Sequence, residues 1–139
     1  MTTANLAAEG AERIAWASRG MPVLATIAAR LAASGRLRGR KVGVSLVLEP
    51  KTANLALALK QAGAQVSVYC GGSSTEARVV HALRAQGMAV FAEAGATAAR
   101  DLELAREFLK TEPDILIDDG ASLIRLAHRE FPDLVSGMI

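Results

Sequence analysis

Four short apolar runs decide what this chain can fold into: "KVGVSLVL" (41–48), "QVSVYC" (65–70), "MAVFA" (88–92) and "DILIDD" (114–119). Each is too short for a buried helix and rich in β-branched residues, so each predicts a strand. The stretches between them have helical spacing: "TANLALALKQAG", "TEARVVHALRAQG" and "DLELAREFLKT", with "ASLIRLAHREF" after the last strand. Strands that alternate with helices build a parallel sheet, because each helix carries the chain back to the starting edge. Two further helices precede the first strand. "LAAEGAERIAWASRG" sets Leu6, Ile14 and Ala17 toward one side, and "PVLATIAARLAAS" opens at Pro22 and is ended by Gly35.

The predicted fold class is therefore α/β: a doubly wound, Rossmann-like parallel sheet of about four strands with two extra amino-terminal helices. Right-handed crossovers limit the strand order, and 3-2-1-4 is expected. Connection direction then reverses between the first and fourth strands. Ligands in such sheets bind beyond the carboxyl ends of the strands at that point.

The length of 139 residues suits one domain, 1–139, with a core of its own. A net charge of +2 is too small to imply nucleic acid. The basic cluster "GRLRGRK" (35–41) reads as a solvated connection in preference to a phosphate patch. Cys70 is the only cysteine, which rules out an internal disulfide and suits a reducing compartment. The polar start lacks the basic and apolar regions of a signal peptide, and no stretch approaches a membrane span. A cytoplasmic protein without membrane or nucleic-acid partners is expected. His81 and His128 lie in predicted helices without metal-ligand spacing and read as surface or edge residues. No metal site and no G-x-G-x-x-G fingerprint is visible.

Two segments meet at the predicted switch point, 47–51 and 118–120. Glu49-Pro50-Lys51 ends the first strand. Pro50 fixes φ for a helix start, Glu49 sits beside the positive end of the helix dipole, and Thr52 can cap a helix that starts a turn later. The same residues can instead serve a ligand. Asp118 and Asp119 close the fourth strand, either with Asp119 as the cap of the next helix or as a paired carboxylate for ribose hydroxyls or proton transfer. In "CGGSST", Gly71 and Gly72 permit a tight turn, and Ser74 or Thr75 can cap the helix that follows.

Taken together, the segments resemble the S-adenosylhomocysteine hydrolase family. "LAAEGAERIAWASRGMPVL" resembles its opening helix and Met-Pro-x-Leu, "TANLALALKQAGAQV" its Thr-Ala-x-Leu…Gly-Ala-x-Val, and "SST" (73–75) its Ser-Thr-Gln-Asp segment. "GMAVFA" and "DILIDDGASLIRLAH" match its Gly-x-x-Val-Phe-Ala and Asp-Asp-Gly segments. The resemblance implies a nucleoside-binding α/β domain. In the family a separate downstream domain holds NAD, which oxidises the ribose 3′-hydroxyl before homocysteine leaves and water adds.

Carried over by position, the resemblance keeps Leu46, Ser74, Thr75 and Asp119, the last at the place of a ribose-contacting, catalytic Asp. It puts Val47 where the family has His, Glu49 where it has Thr, and Lys51 where it has Glu or Gln. The family's Glu-Glu-Thr-Thr-Thr-Gly motif and NAD domain are not in these 139 residues. The expected site is Leu46, Val47, Glu49, Lys51, Thr52, Ser74, Thr75, Asp118 and Asp119, with Asp119 catalytic. No cofactor is expected in this chain. Its function is read as that of a substrate domain without hydrolase activity of its own. The alternatives are a stand-alone module for a small molecule or protein, or one part of a split NAD-dependent hydrolase. A nucleoside-like or anionic ligand and a homo-oligomer are expected. Val47, Glu49, Lys51 and Asp119 are expected in one cleft, with Lys51 in reach of both carboxylates.

Overall fold

The computed structural model describes residues 2–139. Its four strands are β1 (Lys41–Ser45), β2 (Gln65–Cys70), β3 (Ala89–Ala92) and β4 (Ile115–Asp118). They form one parallel sheet in the order β3-β2-β1-β4, as the alternation predicts. The register sets Val42 beside both Val66 and Ile115, and Ser45 beside both Tyr69 and Asp118. The carboxyl ends of β1, β2 and β4 are thereby level with one another.

Among the described residues seven α-helices flank the sheet: α1 (Thr3–Ser18), α2 (Pro22–Ser34), α3 (Pro50–Gln61), α4 (Ala77–Ala85), α5 (Ala98–Leu109), α6 (Ser122–Glu130) and α7 (Pro132–Val135). Alternate strand residues face opposite layers. Val42, Val44, Val68 and Val90 pack with Ile14 of α1, Ala53 and Ala56 of α3, and Val79 and Leu83 of α4. Tyr69, Phe91 and Leu116 pack on the other face with Leu104 and Phe108 of α5 and Leu123 and Leu126 of α6. Gly43 makes room for the Phe108 ring, since a Cβ there would lie 2.5 Å from Phe108 Cζ.

Several boundaries differ from the sequence reading. β1 stops at Ser45 and the chain leaves the sheet at Leu46. Leu48 is nevertheless fully buried, because it forms an isolated parallel bridge with Thr75. α3 starts at Pro50, so Thr52 lies inside the helix and does not cap it. α5 starts early, at Ala98, because Thr97 caps it by accepting from the Arg100 amide. Neither Ser74 nor Thr75 caps α4, whose cap position is Glu76. α7 was not anticipated. After it, the Ile139 amide donates to Asp114 O and the Ile139 carbonyl accepts from the Leu116 amide.

α1 crosses α4 at Gly10, where an added Cβ would collide with the Arg78 carbonyl and come within 2.9 Å of Ala82 Cβ. The crossing sets where the carboxyl-terminal half of α1 rests. Replacing a mid-helix glycine ordinarily stabilises a helix by about 1 kcal/mol. Here the collision is with backbone, so overpacking wins. Gly10→Leu is expected to lower stability by about 1–3 kcal/mol in urea unfolding. A stabilised variant would contradict the α1–α4 crossing.

Candidate functional site

The carboxyl ends of β1, β2 and β4 surround a cleft of about 190 Å³ lined by Ser45, Leu46, Val47, Tyr69, Cys70, Gly71, Ser74, Asp119 and Ser122. The two aspartates at its edge have different work. Asp118 Oδ1 accepts from the Ser45 hydroxyl at 3.0 Å, and Oδ2 accepts from the Leu123 and Ile124 amides at 3.0 and 3.1 Å. Asp118 therefore caps α6, the role the sequence offered to Asp119. Gly120 (φ 87°) and Ala121 (φ 58°) are both left-handed and turn the chain back, so that Asp118 meets the helix start. A left-handed alanine costs roughly 1–2 kcal/mol, which the three bonds to Asp118 offset. Asp119 is held by its backbone, its amide donating to Ser45 O at 3.0 Å. Its exposed carboxylate has no hydrogen bond or ion pair among the described residues, and it borders the cleft with its acceptor oxygens free.

A second depression of about 350 Å³ is lined by Arg13, Trp16, Ala17, Glu49, Pro50, Lys51 and Glu76. Lys51 Nζ lies 3.9 Å from Glu49 Oε1, and both side chains are substantially exposed. Glu76 Oε1 is buried 3.0 Å from Arg13 Nε but out of line with its N–H, so that oxygen has no hydrogen bond. Val47 and Asp119 thus share one depression, while Glu49 and Lys51 line another, and the expectation of a single cleft is not met. The helix begins at Pro50 and carries Lys51 toward α1 and away from Asp119. Lys51 makes no ion pair with Asp119. The segment 46–51 supplies lining residues to both depressions.

The remaining predicted residues divide by role. Leu46 and Ser74 line the first cleft. Thr75 faces inward and its hydroxyl donates to Gly71 O at 2.9 Å. Thr52 is buried in α3 and lines neither depression. His81 and His128 also lie outside both. Sequence reasoning missed Trp16, Arg13 and Glu76. Arg13 and Trp16 are three apart and therefore share a face of α1, but nothing local indicates that this face overlies the end of β1.

The Gly71-Gly72 turn is already filled. The Gly72 amide donates to both Asp101 carboxylate oxygens at 3.0 Å, and the Gly72 carbonyl accepts from the Gly95 amide at 3.0 Å. A carboxylate stands where a pyrophosphate would have to sit, so this turn does not fit a dinucleotide. Tyr69 donates its hydroxyl to Asp101 O at 3.3 Å. Burial, and then the charges of Asp101, Cys70 and Asp118, raise the Tyr69 phenol above its ordinary pKa of 10.0.

The family model described as S-adenosyl-L-homocysteine hydrolase matches residues 1–136. The chain belongs to this family. It is 38% identical to S-inosyl-L-homocysteine hydrolase of Methanothermobacter thermautotrophicus over 136 residues, covering 97% of this chain and 33% of that protein. It is 40% identical to S-inosyl-L-homocysteine hydrolase of Methanopyrus kandleri, covering 97% and 32%. Against adenosylhomocysteinase of Thermoplasma acidophilum it is 39% identical, covering 94% and 32%. The chain thus spans about a third of the length of these relatives. Within the family fold, Asp119 stands free at the switch point, and Glu49 and Lys51 stand on the adjoining turn.

The split between the two aspartates is testable by stability. Asp118→Ala removes a cap and strands the Ser45 hydroxyl, and should cost about 1–3 kcal/mol in urea unfolding. Asp119→Ala should stay within about 0.5 kcal/mol of the wild type. Equal losses would contradict the assignment. Tyr69, the only tyrosine, offers a pH test. Its folded pKa is raised, so the unfolded chain releases the phenolic proton first. The Tyr69 contribution is fully present below pH 10 and is lost as pH rises from there through the raised value. Tyr69→Phe should flatten that alkaline decline in thermal melts, and an ultraviolet titration midpoint at or below 10 would contradict the shift.

Proposed function

We propose that this chain binds a purine nucleoside thioether of homocysteine, prefers a 6-oxopurine to adenine, and does not complete the hydrolysis alone. Family membership over residues 1–136 supports the ligand class. The observation that carries the base preference is the Lys51–Glu49 pair, a cation and a carboxylate 3.9 Å apart on one turn beside the switch point. A 6-oxopurine presents an acceptor at O6 and a donor at N1–H along one edge. Lysine donates and glutamate accepts, so the pair complements that edge. Adenine presents the reverse order, a donor at the 6-amino group and an acceptor at N1, so with Lys51 facing position 6 and Glu49 facing N1 each of its groups meets the wrong partner. Of the three relatives above, two are named for S-inosyl-L-homocysteine, whose base is a 6-oxopurine, and one is an adenosylhomocysteinase.

In this reading the base lies in the depression lined by Lys51, Glu49 and the exposed Trp16 indole, which offers a flat stacking wall. The ribose crosses the segment 46–51 and reaches Asp119, whose carboxylate accepts from sugar hydroxyls. Val47 is an alkyl group at the cleft and can neither take nor give a proton, and the Gly71-Gly72 turn is closed by Asp101. The chain's own residues therefore bind and orient the nucleoside and do not turn it over.

Trp16 is the only tryptophan, so its fluorescence can report binding. Inosine is expected to bind at least about tenfold tighter than adenosine, given roughly 1.5–3 kcal/mol for a hydrogen bond to a charged group. Lys51→Glu should abolish or reverse that preference. Equal or tighter adenosine binding by the wild type would defeat the proposal.

A further inference from the structure

We infer that Asp101 is a positioning residue of the nucleoside site, acting through the 71–76 loop on the base-reading turn; the inference rests on the nucleoside reading above. Asp101 lies in the first turn of α5 and lines neither depression. Among the described residues its carboxylate forms no ion pair. Both oxygens instead accept from one backbone amide, that of Gly72, at 3.0 Å each.

The bond is the first in a connected series. Gly72 opens a single 3₁₀ turn, Gly72–Ser74, closed by the Ser74 amide donating to Gly71 O at 3.0 Å. The Ser74 carbonyl accepts from the Leu48 amide at 3.0 Å, and the Glu76 amide donates to Leu48 O at 3.0 Å. Leu48 is the residue before Glu49, and it lies outside β1. The turn that carries Glu49 and Lys51 is therefore fixed by its bridge to 74–76, and 74–76 is fixed at its upstream end by Asp101. Gly72 is also packed closely against the approach to α5, since a Cβ there would collide with Ala96 N. Loss of Asp101 leaves the Gly72 amide without an acceptor and removes the side-chain anchor of the 71–76 loop, to which the base-reading turn is bridged. Small misplacements of binding groups are enough to cost one to two orders of magnitude.

The test compares Asp101→Ala, Asp101→Asn and Thr111→Ala. Thr111→Ala removes the hydroxyl bonds to Phe108 O and Ser67 at the opposite end of α5, away from the loop, and serves as a control for general destabilisation. Inosine affinity, melting temperature and hydrogen exchange of the Leu48 amide are measured for each. Asp101→Ala is expected to weaken inosine about tenfold or more and to speed exchange at Leu48. Asp101→Asn keeps a carbonyl acceptor for Gly72 and should recover affinity to within about threefold of the wild type. Thr111→Ala should lower the melting temperature and leave affinity and Leu48 exchange unchanged. If Asp101→Ala does not fold, Asp101→Ser takes its place, its hydroxyl being too short to reach Gly72. Wild-type inosine affinity in the Ala or Ser variant would overturn the inference, as would an equal loss in Thr111→Ala. If the wild type itself does not bind inosine, the nucleoside reading fails. Leu48 exchange then decides the mechanical link by itself: unchanged exchange in Asp101→Ala overturns it.

Discussion

The pairing of β1 with β4 on one side and β2 on the other is the constraint on which the rest depends. Parallel strands end together, so Ser45, Tyr69 and Asp118 arrive at one level. The chain turns to opposite faces of the sheet after β1 and after β4, and a cleft opens where those paths part. Every candidate binding group stands within a few residues of that point or is brought to it by α1. The sheet supplies position, and the three loops after β1, β2 and β4 supply chemistry.

Those loops are not independent. The loop after β1 is bridged to the loop after β2 through Leu48 and Thr75, and the loop after β2 is tied to α5 through Asp101. The loop after β4 is tied to β1 by Ser45 and Asp118 and to α6 by the Asp118 cap. Outside this accounting stand the Asp119 carboxylate, the loosely paired Lys51 and Glu49, and the Glu76 oxygen beside Arg13. On the proposed function, Asp119, Lys51 and Glu49 are the groups that meet the ligand.

The strands, their order and the two-layer core were legible in the sequence because they follow from periodicity and handedness, which are local or general. The end of β1 was not. Leu46, Val47 and Leu48 continue the apolar pattern, and only the tertiary bridge to Thr75 explains why Leu48 is buried outside the sheet while Val47 is exposed. The choice between Asp118 and Asp119 as helix cap depended on left-handed backbone at Gly120 and Ala121, and an alanine gives no hint of that. The site itself was half legible. Asp119, Val47 and Ser74 fall where strand ends must converge. Lys51 and Glu49 fall next door because Pro50 starts α3 at once. Trp16 and Arg13 enter only because Gly10 lets α1 settle against α4, a contact between segments far apart in sequence.

On the proposed function, segment 46–51 holds one ligand across two depressions, with Lys51 at one end and Asp119 at the other. Amide chemical-shift mapping with inosine tests it directly. The account predicts perturbations at residues 46–49 and 51–52, at 71–76, at 119–122 and at the Trp16 indole. Shifts confined to the opposite end of the sheet, around Lys41, Pro113 and Asp133 where a separate depression of about 620 Å³ lies, would contradict it.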